Sequence, residues 1–197
     1  MPHFKDNPAP SPRGEPLRQR VLDAAEALLR SGKADFSMRD LAAEAGVSFA
    51  TPFNQFGNKA AIMHALSARR IDAMAERFAQ AERPVQALDR VLLATATAAQ
   101  VMLEEPQVNR AVMEWIGTAA PSPGNVLERS SELWRLAIAQ DAGKTSATAD
   151  EDNLPRLLAF GFRGVLSFWT AGELADDALV EHAQDVARAI MAGAARR

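Results

Sequence analysis

The sequence predicts an all-α protein of about nine helices, and three observations carry that expectation. The segments between prolines are rich in Ala, Leu, Glu, Gln, Arg and Met, which are strong helix formers. Strand-type alternation is missing, and Val and Ile are sparse and scattered. After residue 16, proline becomes scarce and falls at boundaries: Pro84, Pro106, the Pro121/Pro123 pair and Pro155. A loop or a first helical turn tolerates the N–H that proline lacks.

Residues 1–16 hold five of the eleven prolines and no apolar run. They read as a disordered tail and not as a signal peptide. The first helix, about Leu17–Arg30, has an apolar stripe at Leu17, Val21, Ala24/Ala25 and Leu28 and ends at Gly32. Two short helices are expected at about Met38–Ala45 and Phe49–Phe56, then a long one at about Lys59–Ala81 after Gly57-Asn58. Further helices follow at about Val85–Glu104, Gln107–Thr118 and Asn125–Gln140. The polar run DAGKTSATADED reads as a loop before two final helices, about Leu154–Thr170 and Asp177–Ala194. The last is amphipathic through Leu179, Ala183, Val186 and Ile190. The one before it is apolar around most of its circumference, and such a helix must be covered on more than one side. A second subunit is the expected cover.

Composition excludes whole classes. Of 197 residues, 48% are hydrophobic and 24% charged, ordinary values for a globular chain with a core. There is no Cys, which rules out disulfides, thiolate catalysis and Cys-ligated metals. Three His exclude a histidine-rich metal site. The longest charge-free helical run, Val91–Leu103, is too short to span a bilayer. No membrane association and a cytoplasmic location are therefore expected. The net charge of −3 argues against indiscriminate polyanion binding, but it is unevenly split: residues 1–70 carry +3 and residues 71–197 carry −6.

Residues 36–59 carry the sharpest signal. Ser37 reads as an N-cap, Asp40 as its capping-box partner at N3, and Phe36 with Leu41 as a hydrophobic staple. Ala45-Gly46-Val47 then supplies a glycine turn, and Ser48 opens the next short helix. Two short helices joined by such a turn, after a longer amphipathic one, form a helix-turn-helix or a plain helical hairpin. Pro52 admits two starts for the second helix. With Ser48 as N-cap it deletes the first intrahelical hydrogen bond; with Thr51 as N-cap it sits at N1.

The segment from Arg18 to about Leu66 resembles the N-terminal domain of the TetR family of transcriptional regulators. The matching residues are Val21-Leu22-Asp23-Ala24-Ala25, Leu28-Leu29, Ser37-Met38-Arg39-Asp40-Leu41-Ala42 and Ala45-Gly46-Val47-Ser48, continued by Thr51, Phe53, Phe56, Lys59 and Ile62. The chain departs from the family where Phe53 lacks the usual hydroxyl, Gln55 replaces His or Tyr, and Pro52 replaces an aliphatic residue. The resemblance implies a DNA-binding domain over 17–66, with its reading motif at about 37–56, and a regulatory and dimerisation domain over 67–197.

In that frame the second short helix enters the major groove of double-stranded DNA. Thr51 and Asn54 can hydrogen-bond bases or phosphates, Phe49 and Ala50 can pack on a thymine methyl, and Phe53 and Gln55 complete the candidate set. Ser37, Arg39, Ser48 and Lys59 are placed for phosphates. Lys59 in the first turn of its helix opposes the macrodipole, which a bound phosphate would relieve.

The resemblance also implies a small-molecule effector, of unknown identity, among the middle helices. Met102, Met113, Trp115, Trp134 and Phe162 are the candidate lining, with ordinary core packing as the alternative for each; Arg110, Glu114, Arg135 or Arg163 would supply polarity. Phe160, Val165, Phe168, Trp169, Leu179, Val186 and Ile190 are the candidates for a homodimer face. Enzyme readings find no foothold. Gly143-Lys144-Thr145 lacks the glycine and strand of a phosphate loop, Ser167 has no nucleophile-elbow frame, and His182/Asp185 has no further metal ligand. No cofactor is expected. The competing class is an all-α ligand-binding bundle that never meets DNA; a third is a helix-turn-helix used for protein contacts alone.

Overall fold

The structure is a computed structural model that describes residues 15–117, 125–139 and 149–196, the first four residues of the last segment by backbone alone. These residues form nine α-helices and no strand. They are α1 (Glu15–Arg30), α2 (Met38–Glu44), α3 (Ala50–Phe56), α4 (Lys59–Gln80) and α5 (Ala87–Glu104), then α6 (Pro106–Ile116), α7 (Val126–Ile138), α8 (Ala149–Thr170) and α9 (Leu179–Ala194). A 3₁₀ turn, Asp176–Ala178, precedes α9. The chain divides into two compact units, Met1–Ile62 and Met63–Arg197.

Several boundaries shift by a few residues from expectation, two of them with consequences. Helix α1 starts at Glu15, so the last two residues of the expected tail are helical. The end of the expected polar loop, 149–152, belongs to α8, while its Gly143-Lys144-Thr145 lies outside the described residues. Pro155 is consequently inside α8 and not at its start, and it is buried. It forfeits one helical hydrogen bond there, and its ring becomes core volume.

In the first unit, α1 buries Val21, Leu22, Ala24, Ala25, Leu28 and Leu29 along one stripe. Phe36, Leu41, Ala42, Pro52 and Phe56 are also buried. Helix α2 ends in a Schellman motif: Gly46 N–H donates to Ala43 O at 3.1 Å and Val47 N–H to Ala42 O at 3.0 Å. This closure requires Gly46 at φ 61°, which a side chain would disfavour. The turn between α2 and α3 is thereby fixed by local chemistry.

In the second unit, α5 packs on α7 and α9, and α8 packs on α6, α7 and α9. Trp134, Trp169, Phe78, Leu179 and Val91 are fully buried. Arg90 is only 5% exposed and works as a core strut. It donates to Ala137 O at 3.0 Å and Ile138 O at 3.1 Å, the open carbonyls at the end of α7, and to Val85 O at 2.5 Å. A Cβ on Gly161 would meet Ile190 Cδ1 at 2.7 Å and Val186 Cγ1 at 2.8 Å, so this glycine lets α8 and α9 approach.

The residues expected at a dimer face differ in their burial within the single chain. Val165, Trp169 and Leu179 are buried within one chain, and Val186 and Ile190 pack on their own core around Gly161. The intrachain core covers that side of α8. Phe160 and Phe168 do remain outside, 51% and 59% exposed.

Candidate functional site

Helix α2 is set by its first turn. Ser37 Oγ accepts from Asp40 N–H at 3.2 Å, while Asp40 Oδ2 accepts from Ser37 N–H at 2.8 Å and from the Ser37 hydroxyl at 2.7 Å. The capping box expected from sequence is complete. Those donors, the Ser37 hydroxyl first, hold the Asp40 carboxyl below the ordinary aspartate range. The Ser37 hydroxyl is therefore engaged in the cap.

Helix α3 starts differently from both alternatives. Its N-cap residue is Phe49, which puts Pro52 at N3, where the missing N–H would have had no intrahelical partner anyway. Ser48 and Thr51 hydroxyls lie 2.8 Å apart and hydrogen-bond to each other. Pro52 and Phe56 point inward. Phe49, Ala50, Phe53 and Asn54 are exposed, at the i, i+1, i+4, i+5 spacing of a single helical face. The Phe49 and Phe53 rings meet edge-on with centroids 5.3 Å apart, and the exposed Arg39 lies 5.7 Å from the Phe49 ring centre. Gln55 is half-buried.

Three cations brace this arrangement through backbone carbonyls. Arg18 of α1 donates to Gln55 O at 3.0 Å and lies 4.1 Å from the Phe56 ring centre. Arg20, two residues on and so about half a circle round α1, donates to Ala45 O at 2.9 Å. Lys59 Nζ donates to Ala34 O at 2.7 Å and Phe36 O at 2.9 Å. Burial pulls the Lys59 ammonium below the ordinary lysine range, and Asp35 pulls it partly back. Lys59, expected on a phosphate, donates in this structure to the segment of chain that enters α2. Sequence reasoning missed Arg18 and Arg20 in this role. Their only signal was a position on the two flanks of the α1 apolar stripe.

The second unit holds a cavity of about 270 Å³. Ser67, Arg70, Ile71 and Met74 of α4 form one wall, with Met102, Met113, Phe162 and Arg163 among the rest. Three of the five expected lining residues, Met102, Met113 and Phe162, are there. Trp115 and Trp134 are not; the Trp134 ring is 1% exposed and stacks edge-on against Phe162 from the core side, centroids 5.6 Å apart. Phe160, expected at a dimer face, also touches the cavity. The α4 wall is tied down: Arg70 donates to Asn109 Oδ1 at 2.8 Å and Glu105 Oε2 at 3.0 Å, and Arg77 pairs with Glu104.

Among the described residues, no group of three or more His, Cys, Asp or Glu is arranged to hold a metal ion. Asp185 pairs with Arg188 at 2.7 Å. No helix among the described residues is long and apolar enough to cross a membrane.

Residues 21–66 match the family described as "Bacterial regulatory proteins, tetR family". A comparison with curated proteins finds no match. Among solved structures, the chain is similar to a TetR transcriptional regulator from Rhodococcus sp. RHA1, with TM-score 0.75 and 22% identity over 89% of this chain and 96% of that one. It is also similar to a tetR-family transcriptional regulator from Streptomyces coelicolor, with TM-score 0.64 and 20% identity over 92% and 83%. A third is FadR from Bacillus subtilis in complex with stearoyl-CoA, with TM-score 0.60 and 14% identity over 87% and 96%.

Proposed function

We propose that this chain, a tetR-family protein by its residues 21–66 and its all-α fold, is a DNA-binding transcriptional regulator, a ligand-responsive repressor acting as a homodimer on a palindromic operator. The observation that carries the reading is the outward face of α3. Phe49, Ala50, Phe53 and Asn54 stand exposed on a helix that Arg18 of α1 braces at Gln55 O and that the Ser48–Thr51 hydroxyl bond ties at its start. Two adjoining exposed aromatic rings on one face of a short helix make a contiguous apolar patch, the kind of surface that marks an interaction site. In a major groove, Phe49 and Phe53 would lie against thymine methyls and Asn54 on a base edge. Arg39, and the Ser48/Thr51 hydroxyl pair, remain the candidates for the DNA backbone.

The described part of the first unit, residues 15–62, holds six Lys or Arg and six Asp or Glu. Affinity must therefore come from fit and from two linked copies more than from net charge. Two-fold half-sites need reading helices roughly 34–36 Å apart. The surface supporting a second copy is on α8, where Leu157, Phe160, Gly164 and Phe168 form one exposed stripe. Gly164 has nothing within 4 Å of where its Cβ would be, which leaves room for a close helix.

Helix α4 supports ligand coupling. Its first residue, Lys59, pins the segment before α2, and its residues 67–74 line the cavity. A ligand that prefers one setting of α4 shifts the spacing of the reading helices by its differential affinity. FadR, of similar fold, is described in complex with stearoyl-CoA.

The test is a gel-shift series with DNA flanking the chain's own gene, at two salt concentrations. A shift that weakens with salt and is lost in a Phe49→Ser, Phe53→Ser double variant is expected. Absence of any shift at low salt by a folded dimer overturns the reading.

A further inference from the structure

The cavity lining is apolar apart from five side chains, and four of these are either hydroxyls or already partnered. Ser67 and Ser130 are the hydroxyls. Arg70 is bound to Glu105 and Asn109, and Asn109 in turn donates to Met102 O at 2.9 Å. Arg163 is different. Its Nη1 lies 3.3 Å from Met113 Sδ, a weak acceptor. Among the described residues no carboxylate pairs with it, and although the last turn of α6 runs beside it, no carbonyl accepts from it. Burial pushes its guanidinium below the ordinary arginine range. A cation held against an apolar wall without a counter-charge is costly, and a bidentate oxyanion removes that cost.

We propose that the cavity takes an amphipathic carboxylate, its headgroup forked on Arg163 and its apolar body against Met74, Met102, Val112, Leu133 and Phe162. The volume, about 270 Å³, suits a single small chain or ring, near the lower end of the roughly 300–1,000 Å³ usual for such sites. The Arg163 fork sets the ligand's polarity and Met113 keeps the guanidinium from swinging into solvent. This assignment rests on the reading of the cavity as an effector site and adds the effector's chemical class.

Calorimetric titration of the full chain with decanoate, decan-1-ol and decyltrimethylammonium tests it. Decanoate binds at least about tenfold more tightly than the alcohol, and the cation does not bind. Arg163→Gln removes that preference and leaves alcohol binding unchanged, while Arg163→Lys, with the charge kept, retains part of it; circular dichroism melts check that both variants fold. Equal binding of acid and alcohol, an undiminished preference in Arg163→Gln, or no binding by any of the three overturns the proposal. A gel shift run with the same compounds separates the two readings. Arg163-dependent decanoate binding that leaves DNA affinity unchanged sinks the effector role and keeps the anion site; release of DNA by decanol as readily as by decanoate keeps the effector role and sinks the anion site.

Discussion

Lys59 holds Phe36 twice, donating from its ammonium to the Phe36 carbonyl at 2.9 Å while lying 4.2 Å from the centre of the Phe36 ring. The contact joins the start of α4 to the residue before the α2 cap, 23 positions earlier. Lys59→Ala leaves the part-buried Phe36 carbonyl and the exposed Ala34 carbonyl without this donor, and a loss of about 1 kcal/mol is expected. Thermal melts report that loss directly. The salt slope of DNA binding by the folded fraction stays unchanged, whereas removal of a direct phosphate contact flattens it by about one. A flattened slope with an unchanged melt would return Lys59 to the phosphate.

Acid weakens the first unit through Asp40. Its folded pKa lies below its ordinary value because Ser37 donates to the ionised form. The unfolded chain therefore binds the proton more readily, so the contribution is complete above the ordinary aspartate range and disappears as pH falls through the folded value. Urea midpoints across the acid range should fall less steeply in Asp40→Asn than in the parent chain. Ser37→Ala at neutral pH costs about 1 kcal/mol as an ordinary N-cap loss. A parent-like acid limb in Asp40→Asn would refute the assignment.

Arg90 is the largest single polar commitment of the second unit's core. Replacing it with Met keeps much of the volume and strands the Ala137, Ile138 and Val85 carbonyls. The expected destabilisation is about 3–5 kcal/mol, since several buried acceptors lose one donor together. Chemical denaturation followed by circular dichroism measures it; a change under about 1 kcal/mol would mean that water replaces the guanidinium without penalty.

Phe160→Ser with Phe168→Ser should dissociate the proposed dimer while sparing the single chain. Both rings are more than half exposed, so each removal costs the single chain only about 1 kcal/mol. Sedimentation gives the outcome as a shift from dimer to monomer at micromolar concentration. Trp169→Ser, by contrast, removes a fully buried ring bonded to Asp176 at 2.7 Å and should unfold the unit. An unchanged dimer in the double phenylalanine variant would assign these rings elsewhere.

What the sequence disclosed follows the range of the interactions. The α2 capping box was readable because Ser37 and Asp40 are three residues apart and their types name the bond they make. The α2–α3 turn was readable because Gly46 marks a backbone conformation in a single residue. Arg18, Arg20 and Lys59 were not readable as braces, since their partners are main-chain carbonyls 23 to 37 residues away, and a carbonyl has no letter in a sequence. For α8 the periodicity revealed apolar residues all round but not which side the chain itself would cover; that was decided by α9 meeting Gly161. Likewise Met102 and Phe162 face the cavity and Trp134 fills the core behind Phe162, a distinction of about one ring's thickness.

The contact of Trp134 with Phe162 makes the protein its own optical reporter. The chain has three tryptophans and no tyrosine, and Trp115, Trp134 and Trp169 all belong to the second unit. Intrinsic fluorescence therefore comes from that unit alone. Ligand entry that moves Phe162 alters the surroundings of the Trp134 indole, so emission follows cavity occupancy without a label. Melting of α1–α3 passes in the dark, and the difference between an emission melt and a circular dichroism melt separates the two units in the intact chain.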